Sequence, residues 1–566
     1  MREKIYILIA VLVHISGFGQ NMEITWQQCF GGSMLDGAYD MVMVENGYLI
    51  TGGTGSSDGD ISYSYGNGDG WLVRIDSLGN ILWEKTYGGT DSEAFNRIIA
   101  TPDNNFYLLG TSFSSDGDIS NDPYPGSPDY WIVKIDSSGN IIWDRIVGGN
   151  MGESLFTGSA TADGGVLATG FTDSNDGDVT QFYGGHDTWV VKLNSNGDID
   201  WDYTIGTDWI DKGQAILQTS DGGYLIESSS MLGEGGNISC VPHSYMTEGV
   251  LTKLDADLNI VWQRCYGGSD SDAFGGIIEI NSGYLLSGYT RSNDGDVSGW
   301  HGESDVWIIK IDYFGNIIWQ NALGGSNYEE ASVINITDDN NIAIVGMTQS
   351  NDGDVSGNHS MSEYDYDIWI VQLNNDGELL SQQCMGGAGD ERLTFGVVKK
   401  SDHNFVIAGQ TDFGPSYDVA CTPHGGNGID KDFWVFEIKD CSQYPVGSIG
   451  AITGPDTTCT VYDSTNVYAI SPVGGAWEYG WQLIPSGAGT IYGNGTQATV
   501  NWASGWEGTA SIMARAMNDC DTTEWSQPHY TEVFTCLGIE ELNAGKVKMR
   551  VYPNPAKGFV IFSSYA

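Results

Sequence analysis

The segment Tyr130-Trp131-Ile132-Val133-Lys134-Ile135-Asp136-Ser137-Ser138-Gly139-Asn140-Ile141-Ile142-Trp143 carries the main structural signal of this chain. Two apolar runs flank Asp-Ser-Ser-Gly, in which Asp can cap a tight turn and Gly can take a left-handed conformation, so the segment predicts a β-hairpin. Its first half returns about every sixty residues, which indicates an array of similar supersecondary units. The returning aromatic residues are Trp71, Trp131, Trp189, Trp307, Trp369 and Trp434, with Val250 at this place in the fourth unit.

A Gly-Gly pair or a close substitute follows each hairpin, and these anchors recur at intervals of 57 to 62 residues. The anchors begin at Gly31, Gly88, Gly148, Gly206, Gly267, Gly324 and Gly386. A tryptophan lies five residues before six of them, namely Trp26, Trp83, Trp143, Trp201, Trp262 and Trp319. Each unit also has an earlier pair of apolar runs separated by Asn46-Gly47 or a similar turn, so each unit predicts a four-stranded antiparallel sheet.

The two ends of the array complement each other. Residues 24–30 match the last strand of a unit, whereas the seventh unit stops after its third strand at 433–439. Pairing these ends would close a ring and remove two exposed sheet edges. Residues 21–441 therefore predict a seven-bladed β-propeller whose last blade is closed by the N-terminal strand. The repeated tryptophans are expected to pack between blades, where truncation to Ala costs about 3–5 kcal/mol.

The chain has 74 acidic and 23 basic residues and a formal net charge of −51. A field of this sign repels nucleic-acid phosphates and anionic lipid surfaces, so neither is expected as a partner. The charge favours solubility of an exported protein, and cation binding is the alternative.

Residues 1–20 have the features of a secretory signal peptide: Arg2 and Lys4, an apolar run over 5–15, and a small-residue end. This run is too short to span a membrane, and no other segment reaches about eighteen consecutive apolar residues. No transmembrane segment is therefore expected in the mature chain, and export would permit disulfides.

Three of the nine cysteines occupy equivalent places two residues before an anchor or its equivalent, too far apart to bridge one another, and are expected to be buried apolar residues. They are Cys29, Cys265 and Cys384. For the other pairings the sequence leaves alternatives open. These are Cys459 with Cys520, Cys520 with Cys536, and Cys421 with Cys441.

Five of the seven long connections between the second and third strands contain Asp-Gly-Asp. Their carboxylates are Asp58, Asp60, Asp116, Asp118, Asp176, Asp178, Asp294, Asp296, Asp352 and Asp354. Such pairs can supply hard oxygen ligands to Ca²⁺, but Asp-Gly is also a common turn and cap, so both interpretations stay open. A later acid in the same loops could cap the loop or complete a site: Asp69, Asp129, Asp187, Asp305 or Asp367.

The sequence has no His-Glu-x-x-His, no phosphate-binding Gly-x-x-x-x-Gly-Lys and no Cys-x-x-Cys. His186 and His301, in equivalent long loops, are expected to be solvent-exposed rather than ligands. The sequence therefore predicts no catalytic residue and no organic cofactor.

Residues 134–143 resemble the hairpin of pyrroloquinoline-quinone-type propeller repeats and, more loosely, the Asp-box turn of sialidases. The units with Gly-Gly, Asp-Gly-Gly-Tyr, Asn-Asp-Gly-Asp-Val-Ser and Trp-Ile-Val-Lys-Ile-Asp are more similar to exported propellers of bacteria that use the type IX secretion system. The first resemblance supports the architecture and carries no quinone site. The second implies an exported protein on the cell surface or released from it.

Residues 445–536 resemble a PKD-like, immunoglobulin-type β-sandwich, with Tyr479-Gly480-Trp481-Gln482 among the matching segments. Such modules act as spacers or adhesion units. Residues 540–566, with Val551-Tyr552-Pro553-Asn554-Pro555, are similar to the start of a type A sorting domain, which in that family engages the type IX machinery. The resemblance implies passage through the periplasm to an extracellular or outer-membrane-attached location. Because the chain ends within the first strands of such a domain, we expect the domain to be truncated.

These observations favour a secreted or cell-surface, non-catalytic binding or adhesion protein. Its acidic long-loop face would contact a glycan or a surface protein. An exported polysaccharide-degrading enzyme that uses the same face and a structural surface-layer component are the alternatives.

Overall fold

The computed structural model describes residues 22–535 apart from 232, 338–339, 402–403, 427, 429, 441–445, 461–463, 494 and 519–521. The chain divides into two compact units between Lys439 and Asp440. The predicted signal peptide over 1–20 and the predicted sorting domain over 540–566 lie outside the described residues. Among the described residues, no helix is both long and apolar enough to cross a membrane.

The first unit consists of seven four-stranded antiparallel sheets, each formed by strands that follow one another along the ring. The N-terminal strand is β1 (Met22–Phe30). Blade 1 contains β2 (Asp36–Val44), β3 (Gly47–Thr54), β4 (Asp69–Asp76) and β5 (Ile81–Tyr87); blade 2 contains β6 (Glu93–Ala100), β7 (Phe106–Ser112), β8 (Asp129–Ile135) and β9 (Ile141–Val147); blade 3 contains β10 (Glu153–Ala160), β11 (Val166–Thr172), β12 (Asp187–Leu193) and β13 (Ile199–Ile205). Blade 4 contains β14 (Ile210–Gln218), β15 (Tyr224–Met231), β16 (Thr247–Leu254) and β17 (Ile260–Tyr266); blade 5 contains β18 (Asp272–Ile280), β19 (Gly283–Thr290), β20 (Asp305–Ile311) and β21 (Ile317–Leu323). Blade 6 contains β22 (Glu329–Ile336), β23 (Ile342–Thr348), β24 (Asp367–Leu373) and β25 (Leu379–Met385), and blade 7 contains β26 (Val397–Ser401), β27 (Asn404–Thr411) and β28 (Asp432–Asp440).

The ring is closed by the N-terminal strand. β1 pairs with β28, which completes the sheet β1-β28-β27-β26. Gln27 joins the two ends, because its Oε1 accepts the indole N–H of Trp434 at 3.0 Å and its Nε2 donates to the carbonyl of Asp418 at 2.8 Å. A disulfide between Cys29 and Cys421 crosses the same seam with a sequence separation of 392 residues. The predicted seven-bladed propeller and its closure are confirmed.

The third strands of the blades provide much of the core. Six of them carry a fully buried tryptophan, and each of these indole N–H groups donates to a side chain of the fourth strand, as Trp71 does to Glu84 Oε2 at 2.9 Å. The rings also contact neighbouring blades: Trp71 lies 4.6 Å from Phe433 between ring centroids, and Trp189 lies 5.0 Å from Tyr130. Packing between blades, as predicted, explains why this residue repeats.

The cysteines differ from the sequence prediction. Cys29 and Cys265 are not simply buried apolar residues, because they form disulfides with Cys421 and Cys240. The first of these bonds excludes the proposed pairing of Cys421 with Cys441. Only Cys384, among the described cysteines, is free and buried as expected. Cys459 is disulfide-bonded, and its candidate partner Cys520 lies outside the described residues, as does Cys536.

The second unit is a two-sheet β-sandwich. One sheet has the order β29-β35-β34-β31 and the other β30-β33-β32. The strands are β29 (Thr457–Cys459), β30 (Thr465–Ala469), β31 (Glu478–Ile484), β32 (Gly489–Tyr492), β33 (Gln497–Trp502), β34 (Gly508–Met517) and β35 (His529–Phe534). A single turn of 3-10 helix covers Ser486–Ala488. Tyr468, Val500 and Ile512 lie in the core between the sheets.

Candidate binding site at the long-loop end of the propeller channel

The long connections between second and third strands meet the links between blades on one face of the propeller. In blade 2, the backbone N–H of Asp118 donates to the carbonyl of Gly88 at 2.9 Å, and the N–H of Gly88 donates to Asp118 Oδ2 at 3.3 Å. The turns within each hairpin lie at the other end of the strands. We call the side with the long connections the long-loop face.

Both aspartates of each Asp-Gly-Asp segment accept backbone N–H groups from the preceding link. Asp58 accepts from Ser33 at 2.7 Å, and Asp60 accepts from Gly31 at 3.1 Å. The same two contacts recur in the other four segments, at Asp116 and Asp118, Asp176 and Asp178, Asp294 and Asp296, and Asp352 and Asp354. The structure thus gives each carboxylate a role in holding a loop. Among the described residues, no group of three or more His, Cys, Asp or Glu side chains is arranged to hold a metal. Calcium binding by these loops stays a prediction.

A buried acid at or near the start of each blade also holds the Gly-Gly link, a contact that the sequence analysis missed. Gly149 donates its N–H to Glu153 Oε2 at 2.9 Å, and the Thr172 hydroxyl donates to Glu153 Oε1 at 2.7 Å. The seven equivalent acids are Asp36, Glu93, Glu153, Asp211, Asp272, Glu329 and Glu391. Their sequence signal was an acid four residues after the second residue of every anchor.

Six of these acids face a second buried acid from the preceding blade, and Glu248 has the equivalent place in the blade before Asp272. A Cβ on Gly148 would lie 1.9 Å from Asp129 Oδ1 and 2.7 Å from Glu153 Oε2, so only glycine fits between the two carboxyls. The second acids are Asp69, Asp129, Asp187, Glu248, Asp305, Asp367 and Asp432, all at most 2% exposed. Burial, followed by the contact with Glu153, raises the pKa of Asp129 to about 9. We infer that one carboxyl of this pair keeps its proton, because two adjacent buried carboxylates repel each other.

Histidines contact the second buried acid in four consecutive blades, blades 4 to 7. His301 Nδ1 lies 2.8 Å from Asp305 Oδ2, and His359 and His424 make the same contact with Asp367 and Asp432, both at 2.9 Å. A fourth contact joins His243 Nδ1 to Glu248 Oε2 at 3.4 Å. His301 and His186, which were expected to be exposed, keep about one-third of their side-chain surface in contact with solvent, and each also contacts a carboxylate.

The first strands of the blades line the central channel, which contains a cavity of about 370 Å³. An ion pair lies on its wall, with Arg97 Nε at 3.4 Å from Asp40 Oδ2. The Arg97 guanidinium also lies over the ring of Phe395, at 4.5 Å from its centroid. Burial raises the pKa of Asp40 to about 6, while Arg97 opposes that shift. The channel wall therefore combines apolar side chains with polar groups such as Thr157 and Asn335 and one charged pair.

At the long-loop end of this channel, constant residues alternate with variable ones. The second strand of every blade has a Ser or Thr at its last or, in blade 4, its penultimate position, and this residue lies beside the buried acid of the first strand. We call the residues on either side of it the rim positions. In blade order they are Gly53 and Gly55, Thr111 and Phe113, Phe171 and Asp173, Ser229 and Met231, Tyr289 and Arg291, Met347 and Gln349, and Gln410 and Asp412.

Two recesses are each lined by several rim residues. The first, of about 400 Å³, lies between blades 2 and 3 and is mostly apolar, with Phe113, Pro128 and Phe171 in its wall. The second, of about 360 Å³, involves blades 5 to 7. Four tyrosines and two arginines dominate it: Tyr289, Tyr328, Tyr364, Tyr366, Arg291 and Arg392. We call it the tyrosine-arginine recess. Both recesses have the size of ordinary small-ligand sites.

Comparisons with known proteins bear mainly on the second unit. A PKD-like domain family matches residues 445–529. Among solved structures, the chain is similar to a putative gluconolactonase (8% identity, 73% of this chain and 92% of that chain covered, TM-score 0.30) and to a puromycin hydrolase mutant complexed with PGG (8%, 67% and 59%, 0.35). A DUF4221 family member from Bacteroides vulgatus is also similar (11%, 75% and 100%, 0.30). These TM-scores are too low to support an argument about function. No curated protein matches the sequence.

Proposed function

We propose that this protein is an exported, non-catalytic binding protein whose propeller holds a glycan or a surface protein against its long-loop face. The supporting observation is that constant residues and variable residues lie side by side at the long-loop end of the channel. The buried acid and the adjacent hydroxyl are the same kind of residue in all seven blades, whereas the rim positions range from Gly to Tyr, Arg and Asp. The fold needs the constant residues, so the varied ones are available for recognition.

Exposed apolar side chains on the same face add to this case. Met34, Met151 and Trp209 occupy the same place in three blade links and are 54%, 58% and 50% exposed, and Phe113 at the rim is 53% exposed. Water contact with these side chains is unfavourable, and a partner that covered them would gain apolar burial. An acidic, soluble propeller with such residues on one face fits a recognition surface.

The repeated carboxyls support binding better than catalysis. Those that repeat in every blade are buried and accept backbone N–H groups, as Glu153 does from Gly149. Removing them would disturb the blade links themselves. The alternatives are a polysaccharide-degrading enzyme on this face, which would turn over a bound glycan, and a structural surface-layer component, which would capture no ligand.

Export is part of the proposal. The disulfides Cys29–Cys421 and Cys240–Cys265 fit an oxidising compartment, and the predicted signal over 1–20 supplies a route to the periplasm. We further propose that residues 540–566 engage the type IX machinery and that the protein ends outside the cell or attached to the outer membrane. Protease treatment of intact cells tests this, because a protein that resists digestion until the outer membrane is opened would contradict it.

The binding proposal is tested with the full chain on an array of glycans and extracellular-matrix proteins, with and without Ca²⁺. Trp209→Ser, on the long-loop face, is expected to weaken capture of the bound partner, whereas Leu78→Ser in the opposite-face hairpin turn, where Leu78 is 65% exposed, is not. Equal loss in both variants, or no ligand at all, would contradict the proposal. Turnover of a bound polysaccharide would identify an enzyme instead.

A further inference from the structure

The tyrosine-arginine recess is not required by the repeat. The place of Tyr328, one residue before the buried acid, is taken in the other blades by Leu35, Ser92, Gly152, Ile210, Ser271 and Asp390. The place of Arg392, one residue after that acid, is taken by Gly37, Ala94, Ser154, Lys212, Ala273 and Glu330. Six blades build the same sheet without these side chains, so packing does not account for them.

The two arginines are oriented but have unused hydrogen-bond donors. Arg291 is exposed, and its guanidinium lies 5.2 Å from the ring centroid of Tyr328. Its side chain makes no hydrogen bond or ion pair with any residue that the structure describes. Arg392 lies 5.1 Å from the ring centroid of Tyr366, and its Nε donates to Asp390 at 2.8 Å. The terminal nitrogens of Arg392 have no hydrogen-bond partner within the described chain.

Free guanidinium donors held against aromatic rings are suited to a planar or tetrahedral anion. Such a site is unusual here, because the chain has only 23 basic residues against 74 acidic ones. The negative field of the rest of the protein opposes anion binding, so these two arginines act against the general charge of the molecule. They indicate a specific anionic group rather than general attraction.

The remaining lining specifies what carries that anion. Four tyrosine rings give broad apolar faces with hydroxyl edges, which match the C–H faces and hydroxyl groups of a sugar ring. Gln349 and Glu330 add polar groups for sugar hydroxyls. Burial raises the pKa of Glu330, while the charges of Arg291 and Arg392 oppose that rise. Glu329 does not take part, because its carboxylate already accepts from Gly325 and Thr348, both at 2.7 Å.

Resting on the proposed binding function, we propose that the tyrosine-arginine recess binds a sugar that bears a carboxylate or a sulfate, as in an acidic polysaccharide. The anion contacts Arg291 and Arg392, and the sugar ring lies against the tyrosines. Glu330 lies among the same residues and accepts hydrogen bonds from sugar hydroxyls. Neutral sugars keep the stacking contacts and lose the charged ones.

Calorimetric titration of the full chain tests the proposal. The probes are an oligoglucuronate, the neutral gluco-oligosaccharide of equal length and a sulfated gluco-oligosaccharide. Loss of hydrogen bonds to a charged group corresponds to about a ten- to hundredfold change in Kd, so Arg291→Gln is expected to weaken binding of an acidic probe by that factor and to leave the neutral probe unchanged. Comparison of the Kd of the oligoglucuronate with that of the sulfated oligosaccharide shows which anion the site prefers.

Two further variants make the result specific. Tyr328→Ala is expected to weaken all probes about tenfold, whereas Tyr328→Phe keeps the ring and the binding. Arg145→Gln removes one exposed arginine from the fourth strand of blade 2 and is expected to change nothing. Unfolding midpoints equal to that of the original chain show that each variant is folded.

Equal affinity for acidic and neutral probes, no effect of Arg291→Gln, or the same loss in Arg145→Gln would overturn the inference. If these probes fail but array ligands bind and Trp209→Ser weakens them, the proposed function stands and the acidic-sugar site does not. If no ligand of any class binds the full chain, both are wrong.

Discussion

Replacing Asp129 by Asn should change how the stability of the propeller depends on pH. Asp129 is 2% exposed, and its carboxyl faces Glu153 across the junction between blades 2 and 3. Burial is the largest cause that raises its pKa to about 9, followed by Glu153 and Asp122, while the N–H of Gly149 opposes the rise. The folded chain therefore holds a proton here that the unfolded chain releases at much lower pH.

The sign and size follow from proton linkage. Because the pKa of the folded state is raised, this carboxyl contributes stability that is fully present below the unfolded pKa of 3.8 and is lost as pH rises towards about 9. One proton held only by the folded state costs about 1.4 kcal/mol per pH unit across that interval. Between pH 5 and pH 8 the original chain should lose about 4 kcal/mol from this site, and Asp129→Asn should not.

Urea unfolding of the full chain, followed by tryptophan fluorescence at pH 5 and pH 8, measures this difference. Asp136→Asn is the matched control in the same blade. Hydrogen bonds from Asn140 and Ser138 lower the pKa of Asp136, so its stabilisation is lost only as pH falls below the tested range. This control should reduce stability equally at both pH values. If the free energy of unfolding of Asp129→Asn changed with pH as much as that of the original chain, the inference that the Asp129–Glu153 pair keeps a proton would be refuted.

Three further predictions concern the ring and its loops. Cys29→Ser should lower stability by about 5 kcal/mol, because its disulfide closes a separation of 392 residues, whereas Cys384→Ala removes a buried thiol without a bridge and should cost about 1 kcal/mol; equal losses in denaturant unfolding would contradict this. Trp131→Ala should cost about 3–5 kcal/mol and the half-exposed Trp209→Ala less than about 0.5 kcal/mol in the same assay, and similar losses would show that burial between blades does not set the cost. If the Asp-Gly-Asp loops bind Ca²⁺, millimolar Ca²⁺ should raise the thermal midpoint by several degrees over a chelator control, and an unchanged midpoint would end that prediction.

The blade count and the closure were predictable because they depend on local signals. Alternating apolar residues, turn residues with positive φ such as Asn46 and Gly139, and the shifted phase of the first strand act within short segments. The buried carboxyl pairs were harder to predict from the sequence. The acid after each anchor repeats in all units, but its partner comes from the preceding blade, and a chain with 74 acidic residues offers many false pairs.

The histidine contacts show the same limitation. His301 precedes its acid by four residues, whereas His359 and His424 precede theirs by eight, because the loops differ in length. Similar spatial positions therefore give no common spacing along the sequence. The rim residues could not be recognised from the sequence either. Their variation between blades becomes visible only when the ends of the second strands are aligned by their pairing with the first strands.

The disulfides were within reach of the sequence. Blades 4 and 7 are the two units without Asp-Gly-Asp, and they are the two whose long loop contains a bonded cysteine, Cys240 or Cys421. Each pairs with the fourth-strand cysteine of its own blade, Cys265 or Cys29. Cys384 lies in the same place in blade 6, but that blade keeps Asp-Gly-Asp and its loop has no cysteine. Where the two-carboxylate cap is missing, a covalent bond fastens the long loop, so loop fixation is common to the blades and only its chemistry differs.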